Sequence, residues 1–159
     1  MSSPSPLSSS SSGEPFVTEI ATEECLGLLS AHEVGRLCVV DGGFPLAFPV
    51  NYRVVPGGDG GAALVVRTRH GSVLDQSETR AGFEIDGIDP STSSGWSVVV
   101  RGILHHADAS LTPPWLRSWD PRPWVGDRDS WLYLTPVEVT GRRLASAVVE
   151  WAFAVHGYL

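Results

Sequence analysis

The densest gathering of anion-capable groups in the chain is Arg67-Thr68-Arg69, followed closely by Gly71 and Ser72. Arginines donate charge-assisted hydrogen bonds to phosphate, Thr and Ser add hydroxyls, and a helix starting at Gly71-Ser72 would add unpartnered backbone amides. Such a set suits phosphate capture; the plainer alternative is a solvated strand end followed by an ordinary helix cap. Gly95-Trp96-Ser97 sets a large flat aromatic between small residues, which suits contact with a planar ring or, more simply, burial in a core. Pro49-Val50-Asn51 ends an apolar run with a proline suited to a strand edge and an amide able to pair bidentately, or to start a turn. Arg142-Arg143 offers a further pair of guanidiniums, for an anion or for solvent.

Other groups point away from whole classes of chemistry. His105 and His106 are adjacent, so on a strand they face opposite sides and cannot share a metal from there. Cys25 and Cys38 lie in apolar segments with no C-x-x-C pair, which fits small core residues of a reduced protein and gives no metal site. All 11 basic residues are arginine, so lysine Schiff-base catalysis is excluded. The formal charge of -7 removes the long-range attraction that nucleic acid binding needs. No apolar run reaches the roughly 18 residues of a membrane-spanning helix.

The elements that must position these residues follow from periodicity and turn chemistry. At 159 residues, with 42% hydrophobic and 18% charged residues, the chain suits one soluble domain with one core. Residues 1–14, with eight serines and two prolines, are expected to be a disordered tail, leaving a single domain over 15–159. The tail has neither the basic nor the apolar region of a secretory signal, so a cytoplasmic location is expected. Thr22-Glu23-Glu24 before Cys25-Leu26-Gly27-Leu28-Leu29 predicts a capped helix ending near Ala31 to Glu33. Strands are predicted over Val34–Asp41, Pro45–Tyr52, Ala62–Arg69, Ala81–Asp86, Trp96–His105 and Trp131–Thr140, with a polar loop over Gly87–Gly95. A short helix is predicted within His70–Gln76. Six closely spaced strands with short helical insertions imply a mostly β, antiparallel barrel rather than βαβ units. Trp115, Trp119, Trp124 and Trp131 suggest a subunit interface or a lid over a cofactor, against simple packing over one barrel end.

Taken in order, Val34-Gly35-Arg36-Leu37-Cys38-Val39-Val40, Phe44 to Tyr52, Val66-Arg67-Thr68, Gly71-Ser72, Phe83-Glu84-Ile85-Asp86, Gly95-Trp96-Ser97-Val98 and Thr140-Gly141-Arg142-Arg143 resemble the pyridoxamine 5′-phosphate oxidase-like, FMN-binding split-barrel proteins. The likeness is to their short-chain flavin-nucleotide-binding or nitroreductase-like subgroup, from about Ile20 to Leu144. It implies a six-stranded antiparallel split β-barrel that forms a homodimer, with FMN in the grooves between subunits. By position, Pro49, Val50 and Asn51 would lie along the flavin ring and ribityl chain, and Arg67, Thr68 and Ser72 would meet the phosphate, with Arg69 and Gly71 beside them. Gly95, Trp96 and Ser97 would line the ring, from the same subunit or its partner. Val73 stands where such proteins commonly carry a lysine for the phosphate; Arg69 or another arginine could substitute, or the site could take a deazaflavin or no cofactor. The implied activity is a flavin-dependent oxidoreduction of a small-molecule substrate; the alternatives are a non-catalytic flavin or haem storage module and an apo structural dimer.

Overall fold

The computed structural model describes residues 16–57, 60–107 and 130–145. The serine-rich segment 1–14, the tryptophans at 115, 119 and 124, and the C-terminal residues from 146 onward lie outside them. Strands account for most of what is described, because the Val-, Ile- and aromatic-rich runs alternate with the period of two that a half-buried sheet requires. The order along the chain is β1 (Phe16–Ile20), α1 (Thr22–Ala31), β2 (Val34–Asp41), β3 (Phe44–Pro56), β4 (Ala62–Thr68), β5 (Thr79–Asp89), β6 (Ser94–His106) and β7 (Ser130–Ala145).

All pairings are antiparallel, in the order β1-β7-β4-β3-β2-β5-β6, and a further β7–β6 pairing closes the sheet on itself. The six expected strands form that closed ring, and this is the split-barrel architecture. The strand count is nevertheless seven, because β1 adds to the ring from outside. It pairs with the far end of β7, Phe16 with Ala145 through Ile20 with Gly141, along the same edge that β4 uses further back, Thr68 with Ser130 through Leu64 with Leu134. Among the residues of β1 whose burial is described, only Ile20 is buried and Val17 to Glu19 are exposed, so the segment lacks the alternation that announces a strand.

Inside the ring sit Leu37, Val50, Tyr52, Val66, Phe83, Ile85, Val98, Val100, Leu104, Leu132 and Leu134, all buried. Tyr52 and Phe83 meet edge to face at 4.6 Å between ring centroids, a favoured aromatic geometry. The helix α1 plugs one side through Cys25 and Leu29, and the buried Tyr52 hydroxyl donates to the Leu29 carbonyl at 2.6 Å. The cap expected at Thr22 is not made: Ala21 is the cap residue, without a side-chain bond, and Thr22 already belongs to the first turn. The polar loop expected over Gly87–Gly95 shrinks to a tight turn, because β5 continues to Asp89 and β6 begins at Ser94, paired with each other.

No helix forms over His70–Gln76; the segment is a run of turns. Gly71 adopts φ 72°, a left-handed conformation that interrupts a right-handed helix. The Ser72 and Asp75 amides donate to the carbonyls of Arg69 and Ser72, a turn pattern rather than a helical one.

Candidate functional site

The phosphate-suited cluster lies where β4 ends. Arg67 and Thr68 are its last residues and pair with Trp131 and Ser130 of β7, and the Arg67 guanidinium lies 4.7 Å over the Trp131 ring, a cation–π contact that fixes its direction. Thr68 is buried, and its hydroxyl is 2.8 Å from that of Ser72, so the turn brings both hydroxyls to one point. Asn51 and Arg67 are the residues next to the paired Tyr52 and Val66, which places the Pro49–Asn51 end of β3 beside the end of β4. One aimed arginine with two converging hydroxyls is donor chemistry suited to an anion; Arg69, just past the strand, is exposed.

The amides expected to complete that site are not available. The Gly71 N–H donates to Asp75 Oδ2 at 2.7 Å, and the Ser72 N–H to the Arg69 carbonyl at 3.1 Å. Asp75, which nothing in its neighbouring sequence marks, is the centre of this corner. Its side chain is only 4% exposed and also receives the Ser130 hydroxyl at 2.5 Å, with His106 Nε2 at 2.9 Å and His70 Nδ1 at 3.0 Å. Burial pushes its carboxyl up, but the hydrogen bonds from Ser130, the Gly71 amide and His106 outweigh it and hold the group below the usual carboxylate range. Among the described residues no set of three or more His, Cys, Asp or Glu side chains is arranged to hold a metal ion. His105 turns the other way, to Glu78 at 2.7 Å, as adjacent strand residues must.

Gly95, Trp96 and Ser97 lie elsewhere. They open β6 and pair with Leu144, Arg143 and Arg142 at the far end of β7. Trp96 packs partly against the core and meets His32 edge to face at 5.1 Å, so it serves both burial and a surface. That surface is a groove of about 240 Å³ whose lining includes Trp96, Ser97, Glu84, Asp86, Ile88 and Arg142. Arg36 crosses its acidic side, at 2.7 Å from Glu84 and 3.1 Å from Asp86, and Arg143 pairs with Glu24 at 2.6 Å. Its apolar rim is open, with Ile88 72% exposed. Both cysteines are free thiols, raised above their ordinary pKa first by burial, which suits inert packing rather than nucleophilic work.

Two paths join the two groups. Along β7, from Trp131 opposite Arg67 to Arg143 opposite Trp96, twelve residues at roughly 3.3 Å each make about 40 Å. Across the sheet the register runs from Arg67 over Asn51, Val34 and Asp86 to Ser97, four strand spacings or roughly 19 Å. The corner and the groove are therefore separate patches of one chain, with the Pro49–Asn51 end of β3 between them.

The architecture defines the class, a split barrel with an anion-suited corner and a separate aromatic groove, and comparison with known proteins defines the family. Residues 21–143 match the family described as pyridoxamine 5′-phosphate oxidase, and the chain belongs to that family. An uncharacterised Mycobacterium tuberculosis protein is 32% identical over 139 residues, covering 82% of this chain and 87% of its own. Among solved structures, the FAD-binding protein of Mycobacterium smegmatis is 25% identical with a TM-score of 0.59, covering 80% of this chain and 98% of its own. An FAD-binding protein of Mesorhizobium loti, at 21% identity and a TM-score of 0.66, covers 83% of this chain and 99% of its own, and shows the shared fold.

Proposed function

We propose that the protein is a flavin-dependent oxidoreductase that works as a homodimer, with each flavin held between two copies. The observation that supports this reading is that the corner at Arg67 and the groove at Trp96 are separate patches of one chain, the groove open at its apolar rim. A site needing both the corner at Arg67 and the groove at Trp96 is completed when a second copy, related by a two-fold axis, lays its groove against the first copy's corner. The groove volume agrees, since about 240 Å³ in one chain falls below the roughly 300–1,000 Å³ of ordinary ligand pockets. Membership of the family and a similar protein that binds FAD support a flavin as the ligand.

In this reading Arg67 and Arg69, with the Thr68 and Ser72 hydroxyls, hold the phosphate, and Gly71 gives the turn its direction. Pro49, Val50 and Asn51 run along the ring and ribityl chain, and Gly95, Trp96 and Ser97 of the other copy cover the ring. The bound flavin supplies hydride and electron transfer between a donor and a small-molecule acceptor; the protein supplies orientation, hydrogen bonds and exclusion of water. FMN offers the corner a terminal, doubly charged phosphomonoester, whereas FAD offers it a pyrophosphate diester with one charge on each phosphorus.

The test is an absorbance spectrum of the purified protein, before and after incubation with excess flavin and removal of the unbound fraction, followed by a turnover assay with nicotinamide nucleotide. A retained visible flavin band with turnover above that of free flavin is expected. A retained band without turnover would leave a storage or carrier module, and no retained flavin would sink the proposal.

A further inference from the structure

We infer that Asp75 is a specificity-determining residue of the phosphate corner, one that selects flavins whose tail carries a singly charged phosphodiester over the doubly charged phosphomonoester of FMN. The inference rests on the flavin reading above and deepens it. A buried carboxylate sits inside a corner built otherwise for an anion: it takes the Gly71 amide, the Ser130 hydroxyl and both His106 and His70. These are the kinds of donor that a phosphate would use, and they are committed to a group of the chain's own.

Two consequences follow from placement. The Asp75 carboxylate is one hydrogen bond from Gly71, whose neighbour Ser72 shares the hydroxyl pair with Thr68. A phosphate on that pair lies within the Debye length of about 8 Å, where charges are only partly screened, and each added negative charge meets the same repulsion again. Val73 beside Ser72 is apolar and exposed, so it contributes no compensating cation. The titratable groups that face Asp75 are His70 on its own turn and His106 on β6, while Arg67 and Arg69 flank Thr68 in the chain. In this inference an arginine offsets one phosphate charge while the carboxylate opposes a second.

Asp75 also positions the turn. Its partners come from three places, Gly71 and His70 in the turn, His106 at the end of β6 and Ser130 at the start of β7, so it pins the Ser72 hydroxyl against Thr68. A purely structural role would weaken every flavin alike. Charge selection instead changes the ratio between esters that differ in one charge.

The experiment titrates the full-length protein with FMN, with the monomethyl phosphodiester of FMN and with FAD, following flavin fluorescence, in wild type and in Asp75→Asn. At about pH 7.5, where a phosphomonoester with its second pKa near 6 is doubly charged, wild type is expected to bind the methyl ester on the order of tenfold more tightly than FMN. In Asp75→Asn that ratio should fall to within about threefold, through tighter FMN binding. Should the variant fail to fold, wild type at about pH 5.5, where FMN carries one charge, should show the ratio closing towards unity. Equal or FMN-favoured binding by wild type at the higher pH, or a ratio unmoved by both the substitution and the lower pH, would overturn the inference while leaving flavin binding intact. No binding of any of the three flavins would remove the flavin reading itself, and this inference with it.

Discussion

At the scale of single residues, direction matters as much as identity. Arg67 is aimed by the Trp131 ring beneath it, so it meets a ligand with little rotamer freedom left to lose. Replacing it with alanine is expected to weaken flavin binding by about 10–100-fold, the range of a lost charge-assisted hydrogen bond, as measured by fluorescence titration. Tyr52 offers a test of the core instead: its fully buried hydroxyl satisfies the Leu29 carbonyl. Tyr52→Phe should cost about 1–3 kcal/mol in urea unfolding by leaving that carbonyl unpaired, with flavin affinity unchanged. Asp75 makes stability depend on pH. Its carboxyl is held below the ordinary value in the folded chain, so its contribution is complete above about pH 3.9, the unfolded value, and is lost as pH falls through the lower folded value. The melting temperature of wild type should therefore drop more steeply below about pH 4 than that of Asp75→Asn. A difference between the two that stays constant with pH would contradict this. The arginines, hydroxyls and Trp96 were legible as candidates because their chemistry is local. The Asp75 cluster was not, since its partners stand 31 and 55 residues away and nothing in the neighbouring sequence marks them.

At the scale of elements, six strands were legible because they are β-branched and apolar runs bounded by turn residues, although β4 is buried nearly throughout rather than alternating, and the bounds of β2 agree with the reading of Val34–Asp41. The misreadings have distinct causes. Exposed β1 is set by its hydrogen bonds to β7, a tertiary cause, and the expected helix after Arg69 gives way because Gly71 turns left-handed and Asp75 takes its amide. The β6–β7 ladder shifts register at Arg101 and Gly102, where Glu138 and Pro136 are the partners on β7 and Val137 is left over, a bulge that bends the long strand into the ring. A Cβ at Gly102 would press on the Thr135 carbonyl and crowd a Leu134 methyl at 3.0 Å. Gly102→Ala should therefore destabilise the fold by about 1–3 kcal/mol, read as an earlier urea midpoint, because backbone rather than a flexible side chain stands in the way.

At the scale of the whole molecule, the proposed site joins two copies. If each flavin takes Arg67 from one chain and Trp96 from the other, Arg67→Ala and Trp96→Ala homodimers should both bind poorly. A co-expressed heterodimer of the two should regain one intact site, seen as about half the wild-type flavin stoichiometry, since two-fold symmetry puts both defects in one site and none in the other. No recovery in a purified heterodimer would mean that one chain supplies both groups. The proposed arrangement comes from resemblance, because sequence periodicity reports which face of a strand is buried and not which chain covers it. No described helix is long and apolar enough to cross a membrane.

The place of β7 in the ring also bears on how the protein is born. It is the last described strand, yet it bonds β1, β4 and β6, so its partners leave the ribosome well before it does. Until residues 130–145 emerge, β4 and β6 present open edges that can pair with other chains. Closure of the ring awaits contacts between segments far apart in sequence, which form slowly. Maturation of the barrel is thus a late event in synthesis, and an interrupted message ending before Ser130 would yield a sticky nascent chain rather than a smaller working barrel.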